Sequence, residues 1–370
     1  MMRQGWQMEL AGLDGMVPRD FRRILIIKPS SFGDVIHALP VLHGLRQRFP
    51  HARISWLVST ACAGLLEGHP ELDEIVLFDR RRFGRLGQSW RVTCEFAAFV
   101  RELNGRRFDL ALDLQGLFRS GFLSLASGAA VRMGFARARE FGWVFYTRPM
   151  RESRGERHAV DRNYQAGRLL GFADVPIQFR LPVDASSRRV VAEWLAAGGI
   201  GPGRGYALLA PGTRWETKRW PVGHFAEVAR SLRNEHGLAV VLAGAPDEVE
   251  AAAEVANLSG GDVVNLAGRT NLRELIALVA GASVVVMNDT GPMHLAAALG
   301  RPLVAIYGPT SPVRTGPYRR PDAVARLDLP CSPCYLKRLS DCPHGHRCLR
   351  ELTPAMVCRR VAALLAAEVH

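Results

Sequence analysis

An aspartate, a threonine, a glycine and a histidine fall within the stretch N-D-T-G-P-M-H, positions 288–294, and a lysine stands at 218 in the loop T-R-W-E-T-K-R-W-P. A hydroxyl, an ammonium and an imidazole gathered at a helix start would hold a diphosphate. Such a start offers free backbone N–H groups and the positive end of the helix dipole. Asp289, Thr290, Gly291 and His294 are therefore candidates for anion binding, with Thr213 and Lys218 from the other loop. Asp289 and Thr290 are equally ordinary helix caps, and local sequence leaves both readings open. A second stretch, K-P-S-S-F-G-D-V from Lys28, places the carboxylate of Asp34 at a strand-to-helix turn. That is a usual position for a site residue in an open α/β sheet and also for a cap. A carboxylate that takes a hydroxyl proton while a phosphorylated group departs is a general base, so the two stretches together suggest group transfer.

A third cluster lies near the end, where Cys331, Cys334, Cys342 and Cys348 form C-x2-C-x7-C-x5-C with two histidines among them. Four thiols this close fit a structural zinc or iron ion, two disulfides, or no bond at all; the expected cytoplasmic setting favours metal over disulfides. The other three cysteines, Cys62, Cys94 and Cys358, read as buried thiols.

These residues need strands and helices to place them. A valine-rich run over 282–287 reads as a buried parallel strand, and Pro292 sits where a first helical turn tolerates it. Gly300 and Pro302 stop that helix before another strand over 303–307. Upstream, strands are expected over 206–210, 238–243 and 263–266, with helices between them. The first half repeats the scheme: strands over 23–28, 53–58, 74–78 and 109–114, and one amphipathic helix over 35–49. Strict alternation of strand and helix predicts parallel sheets covered on both faces. The turn after the first strand holds one glycine, not G-x-G-x-x-G, which argues against a dinucleotide site.

At 370 residues the chain exceeds what one core usually supports, so two domains are expected. We divide it into an N-terminal extension (1–20), a first α/β domain (21–180), a glycine-rich hinge (181–205) that carries a polar helix over 185–197, a second α/β domain (206–328), a cysteine-rich insert (329–350) and a terminal helix (351–370). No apolar run approaches the ~20 residues of a membrane span, and the opening residues lack a secretory apolar core, so a cytoplasmic place is expected. The net charge is +13, and only three of the 48 basic residues are lysine: Lys28, Lys218 and Lys337. Residues 80–162 alone hold seventeen arginines, a basic surface that suits an anionic partner.

K-P-S-S-F-G-D-V-I-H-A-L-P, D-L-Q-G-L-F-R-S, the loop ending K-R-W-P, and N-D-T-G-P-M-H-L-A-A-A-L-G-R-P-L-V-A-I-Y-G-P-T together resemble the bacterial ADP-heptose:lipopolysaccharide heptosyltransferases, glycosyltransferase family nine. The likeness runs from Arg23 to about Pro317, and its first half is most similar to the type I enzymes, which place heptose on the Kdo of lipid A. The resemblance implies a GT-B fold: two Rossmann-like parallel-sheet domains facing a cleft, with a terminal helix crossing back to the first domain. It implies transfer with inversion, no cofactor for the chemistry, and work at the inner face of the inner membrane. Asp34 becomes the expected base. Thr213, Lys218, Asp289, Thr290, Gly291 and His294 become donor ligands, and Asp247 or Glu248 reaches the ribose, with residues 268–272 at the adenine. Ser31, Gln115, Arg119, Arg139, His158 and Arg162 become acceptor candidates, their arginines meeting carboxylates and phosphates. Type II or protein heptosyltransferases share the donor half. A sugar-nucleotide epimerase would need an acid pair that is not found. A nucleic-acid binder would interleave aromatic and basic repeats, and here the arginines are scattered.

Overall fold

The computed structural model describes residues 20–152 and 157–368, so the expected N-terminal extension lies almost entirely outside the described residues. The chain divides into two compact units, Met1–Pro182 and Val183–His370. In the first, six strands pair in parallel in the order β3-β2-β1-β4-β5-β6. They are β1 (Arg23–Ile27), β2 (Arg53–Ser59), β3 (Glu74–Phe78), β4 (Leu110–Asp113), β5 (Val131–Phe135) and β6 (Arg148–Met150). Ile24, Leu25, Ile26 and Ile27 are wholly buried. A strand covered on both faces has no exposed side and so reads as unbroken apolar sequence. Each such side chain adds roughly 1.5–3 kcal/mol on burial.

The second unit repeats the plan with β7 (Tyr206–Ala210), β8 (Ala239–Leu242), β9 (Val263–Asn265), β10 (Val284–Asn288), β11 (Leu303–Ile306) and β12 (Val324–Ala325). Their order is β12-β11-β10-β7-β8-β9, again all parallel. In each sheet the chain leaves a central strand toward one edge and returns on its other side. The β1/β4 and β7/β10 pairs are therefore the switch points, where ligands of open α/β sheets sit beyond the strand ends.

Three local features differ from the sequence reading. The helix expected over 35–49 is two, Phe32–Ile36 and Leu39–Arg48, because Pro40 lacks the N–H that a continuous helix needs and instead opens the second one. The polar helix expected in the hinge forms over Ala185–Ala197, but it belongs to the second unit: Asp184 caps it, it packs against Leu272–Gly281, and Asp184 pairs with Arg273 at 3.1 Å. The terminal helix Pro354–Glu368, expected to reach back to the first domain, buries Val357 and Val361 in the core of the second with Leu349 and Leu352. Among the described residues no helix is long and apolar enough to cross a membrane.

Candidate active site

At the first switch point Lys28 follows β1 and turns its side chain inward. Its Nζ donates to the Leu114 carbonyl at the end of β4 at 2.8 Å, which ties the two strand ends together. Burial pushes the Lys28 pKa below its ordinary value, opposed by the nearby Asp34 and Asp113 carboxylates. Asp34 lies at the start of helix Phe32–Ile36. Its Oδ2 accepts from both the Ser31 N–H and the Ser31 hydroxyl at 2.9 Å, while Oδ1 stands 3.9 Å from Lys28 Nζ. The capping role is thus real and occupies one oxygen. The carboxylate is still 41% exposed where Lys28 is 7%, so an outside hydroxyl can meet it.

Beside it, the loop after β4 is shaped by Asp113, which is wholly buried and accepts from Tyr146 Oη at 2.6 Å and from the backbone N–H groups of Gln115 and Gly116 at 2.8 and 3.1 Å. Burial raises its pKa above the usual carboxylate value against these hydrogen bonds. Gln115 in turn accepts from the Ser30 N–H at 3.4 Å. His158 caps helix Ala159–Tyr164 through Nδ1, and its ring meets that of His37 at 5.2 Å. Arg162 lies over the Phe135 ring at 4.0 Å and pairs with Glu152. Arg139 opens the segment after β5, its N–H bonded to the Gly116 carbonyl at 2.9 Å, and its side chain is exposed, as is Arg119 at the start of helix Phe118–Ala126. Ser31, Asp34, Gln115, Arg119, Arg139, His158 and Arg162 therefore all follow strand ends on one edge of the first sheet.

In the second unit the loops after β7 and β10 meet. Asn288, buried, donates to the Pro211 carbonyl at 2.7 Å and accepts from the Trp220 N–H at 3.2 Å, so it pins both ends of the lysine loop. Thr213 donates to the Asp289 carbonyl at 3.4 Å. Lys218 Nζ stands 2.6 Å from Asp289 Oδ2, which also accepts from the Thr310 hydroxyl at 2.6 Å. The lysine also lies over the Trp215 ring at 4.6 Å. Asp289, expected among the donor ligands, thus holds the lysine through its carboxylate. Thr290 takes the cap position of helix Gly291–Ala298 with no side-chain capping bond, and His294 is buried within the same turn.

Of the two ribose candidates, Asp247 is exposed, whereas Glu248 folds over the site. A methyl group added at Gly212 would come within 2.2 Å of the Glu248 carboxyl carbon, so Gly212 is the residue that lets Glu248 lie there. Burial raises the Glu248 pKa, partly offset by the Ala245 N–H that it accepts at 2.9 Å.

The four cysteines of the insert line one cavity of about 130 Å³ together with His344, and all four are free thiols. Among the described residues no group of three or more His, Cys, Asp or Glu side chains is placed to hold a metal ion. The spacing brings Cys331, Cys334, Cys342 and Cys348 to one place, with no disulfide between them. Cys94, expected inside, is exposed.

Two groups that reading by motif did not assign are Lys28 and Asp113. Lys28 is signalled by its rarity, as one of three lysines, and Asp113 by its place at the head of the D-L-Q-G stretch. Asn288, next to Asp289, carried no signal of its own.

Residues 96–342 match the family described as Glycosyltransferase family 9 (heptosyltransferase). The chain belongs to this family. It is a glycosyltransferase of the kind whose members include the lipopolysaccharide heptosyltransferase 1 of Pseudomonas aeruginosa, 32% identical over 93% of this chain and 98% of that one. The lipopolysaccharide heptosyltransferase 2 of Salmonella typhimurium is 31% identical over 94% of this chain and 99% of its own length. Among solved structures, the Escherichia coli heptosyltransferase WaaC with ADP superimposes with a TM-score of 0.74 at 29% identity, over 92% of this chain and 99% of that one. Family membership fits the two parallel six-stranded sheets, the GT-B arrangement of strands expected from the sequence.

Proposed function

We propose that the protein is an inverting heptosyltransferase that moves L-glycero-D-manno-heptose from ADP-heptose to the Kdo of inner-core lipopolysaccharide. The observation that carries this reading is the second unit's pairing of Lys218 with Asp289 beside the Thr290 helix start, on the edge where a departing diphosphate would be met. Relatives named as lipopolysaccharide heptosyltransferases over almost the whole chain support the donor and acceptor class.

In the proposed reaction Asp34 takes the acceptor hydroxyl proton while that oxygen attacks the anomeric carbon, and the bond from that carbon to the diphosphate oxygen breaks. Lys218 and Thr213 hold the donor diphosphate in ground and transition state alike, and the helix start offsets the charge gathering on the ADP. His294 binds toward the sugar and Glu248 toward the ribose. Ser31, Gln115, Arg119, Arg139, His158 and Arg162 serve the acceptor, their cations suited to its carboxylates and phosphates. The chemistry asks nothing of the four insert cysteines. With a lipid-linked acceptor, the enzyme would work as a peripheral protein on the inner face of the inner membrane.

A second reading, transfer onto a heptose already in place, is favoured by the type 2 relatives at nearly the same identity. One experiment separates them. The protein is incubated with ADP-heptose and Kdo2-lipid A, heptosyl-Kdo2-lipid A or a peptide, and the products are weighed. A heptose mass added to Kdo2-lipid A alone supports the first reading, and addition only to the heptosylated acceptor replaces it.

A further inference from the structure

The insert over 331–348 is mostly exposed and irregular, yet it is fastened to two loops that converge on Asp289. On the lysine loop, the Thr217 hydroxyl donates to the Leu336 carbonyl at 2.5 Å, the Leu339 N–H donates to Glu216 at 3.3 Å, and His346 Nε2 lies 2.7 Å from the Thr217 carbonyl. Because a carbonyl only accepts, His346 carries its proton on Nε2 there. On the loop after β11, the Ser332 hydroxyl donates to the Gly308 carbonyl at 2.6 Å, and the N–H groups of Cys334 and Tyr335 donate to the Pro309 carbonyl at 3.0 and 2.8 Å. That loop ends in Thr310, the second donor to Asp289. Lys337 lies over the face of Trp215 at 5.1 Å, the same ring that Lys218 meets.

His346 is the insert's one buried polar anchor, 8% exposed, and its backbone has φ of +60°, a left-handed conformation that costs a non-glycine residue of order 1 kcal/mol. The residue before Lys218 is thus gripped from outside its own loop, at both its hydroxyl and its carbonyl.

We propose that the insert is a strap that sets the position of Lys218, with His346 as its positioning residue. It acts on donor binding rather than on the bond-breaking step. The four thiols form the wall of the strap's small cavity. This inference rests on the proposed role of Lys218 at the donor diphosphate, so the test runs three variants together in the full chain: His346→Ala, His346→Gln and Lys218→Ala, with His344→Ala as a control on an exposed neighbour. KM for ADP-heptose, kcat and the melting temperature are measured for each, and ADP binding is followed by calorimetry.

The strap predicts that His346→Ala raises KM and the ADP dissociation constant roughly tenfold, the size of one lost hydrogen bond to a buried carbonyl. It leaves kcat within about twofold, and His346→Gln, whose amide nitrogen reaches the same carbonyl, restores KM. An unchanged KM in His346→Ala overturns the strap. So does a lowered melting temperature with normal KM and ADP affinity in the folded fraction, because the histidine is then only structural. If Lys218→Ala raises KM and His346→Ala does not, the donor reading stands and the strap falls; if Lys218→Ala leaves donor use untouched, the donor reading itself fails and takes the strap with it.

Discussion

Lys218 and Asp289 form a 2.6 Å ion pair in which the lysine side chain is 16% exposed and the aspartate 5%. Two charges this sheltered depend on each other, and removal of one leaves the other buried without its partner, at a cost of about 3–5 kcal/mol. Asp289 thus belongs to the machinery that aims the lysine. We predict that Asp289→Asn and Lys218→Ala each raise the donor KM by about tenfold or more, and that the double variant is no worse than the poorer single one, as expected of groups acting as a unit. Steady-state kinetics across the four proteins measures this. Strictly additive losses would mean that the two residues act separately.

Asp34 gives a contrasting expectation. It shares one oxygen with Ser31 and leaves the other toward Lys28, so Asp34→Ala should reduce kcat by at least about a thousandfold, within the range ascribed to a positioned base. Its donor affinity should stay near normal. Loss of the cap should lower stability by only about 1 kcal/mol. Near-normal turnover in Asp34→Ala removes it from the base role, and an Asp34→Asn variant, which keeps the capping shape, guards against a merely unfolded protein.

Gly212 tests the placement of Glu248. A methyl group there would lie 2.2 Å from the Glu248 carboxyl carbon, closer than atoms can stand. Gly212→Ala should therefore expel Glu248 from its place and weaken ADP binding, and Glu248→Ala in the same chain should relieve the clash and recover part of the folding stability. Calorimetric titration with ADP and thermal melts give the two readouts. Full stability in Gly212→Ala alone would show that Glu248 is not held there.

Asp113 makes a prediction about pH. Burial raises its folded-state pKa above the unfolded value near 3.9, so the folded protein holds this proton more tightly than the unfolded chain. Between the two values the folded state binds more protons, and stability contributed by this group falls as pH rises through that window, then levels off. Asp113→Asn carries no such proton. The denaturation midpoint of the native protein should decline with pH just above 4 more steeply than that of the variant. Equal slopes would mean that Asp113 is ionised in both states alike.

Much of the scaffold could be read in advance because both sheets are parallel and buried. A strand such as Val284–Asn288 has nowhere to put a polar side chain along its length, so its composition announces it. Pro40 was readable as a helix opener only after the fact, since the apolar spacing continues across it and periodicity outweighed one residue. Helix Ala185–Ala197 was legible as a helix, but its attachment was not, because Arg273 lies eighty-nine positions from Asp184 and only tertiary structure joins them. The site divided in the same way. Asp34, Thr213 and Lys218 follow strands whose ends the alternation locates. The roles inside it, such as Asp289 facing a lysine or Glu248 lying over Gly212, depend on distances between loops that no spacing encodes. The cysteine spacing was an accurate guide to proximity.

The last helix closes the second unit's core from its own far end. Trp220, two residues beyond Lys218, donates its indole N–H to the Leu352 carbonyl at 2.8 Å, and Val357 and Val361 fill the space beneath β10 and β11. A reading frame stopped at Leu352 would therefore yield a chain that still carries every residue assigned to the reaction and yet has no floor under its lysine loop. Loss-of-function lesions in such a gene should accumulate in its final codons as readily as in those for the reacting groups.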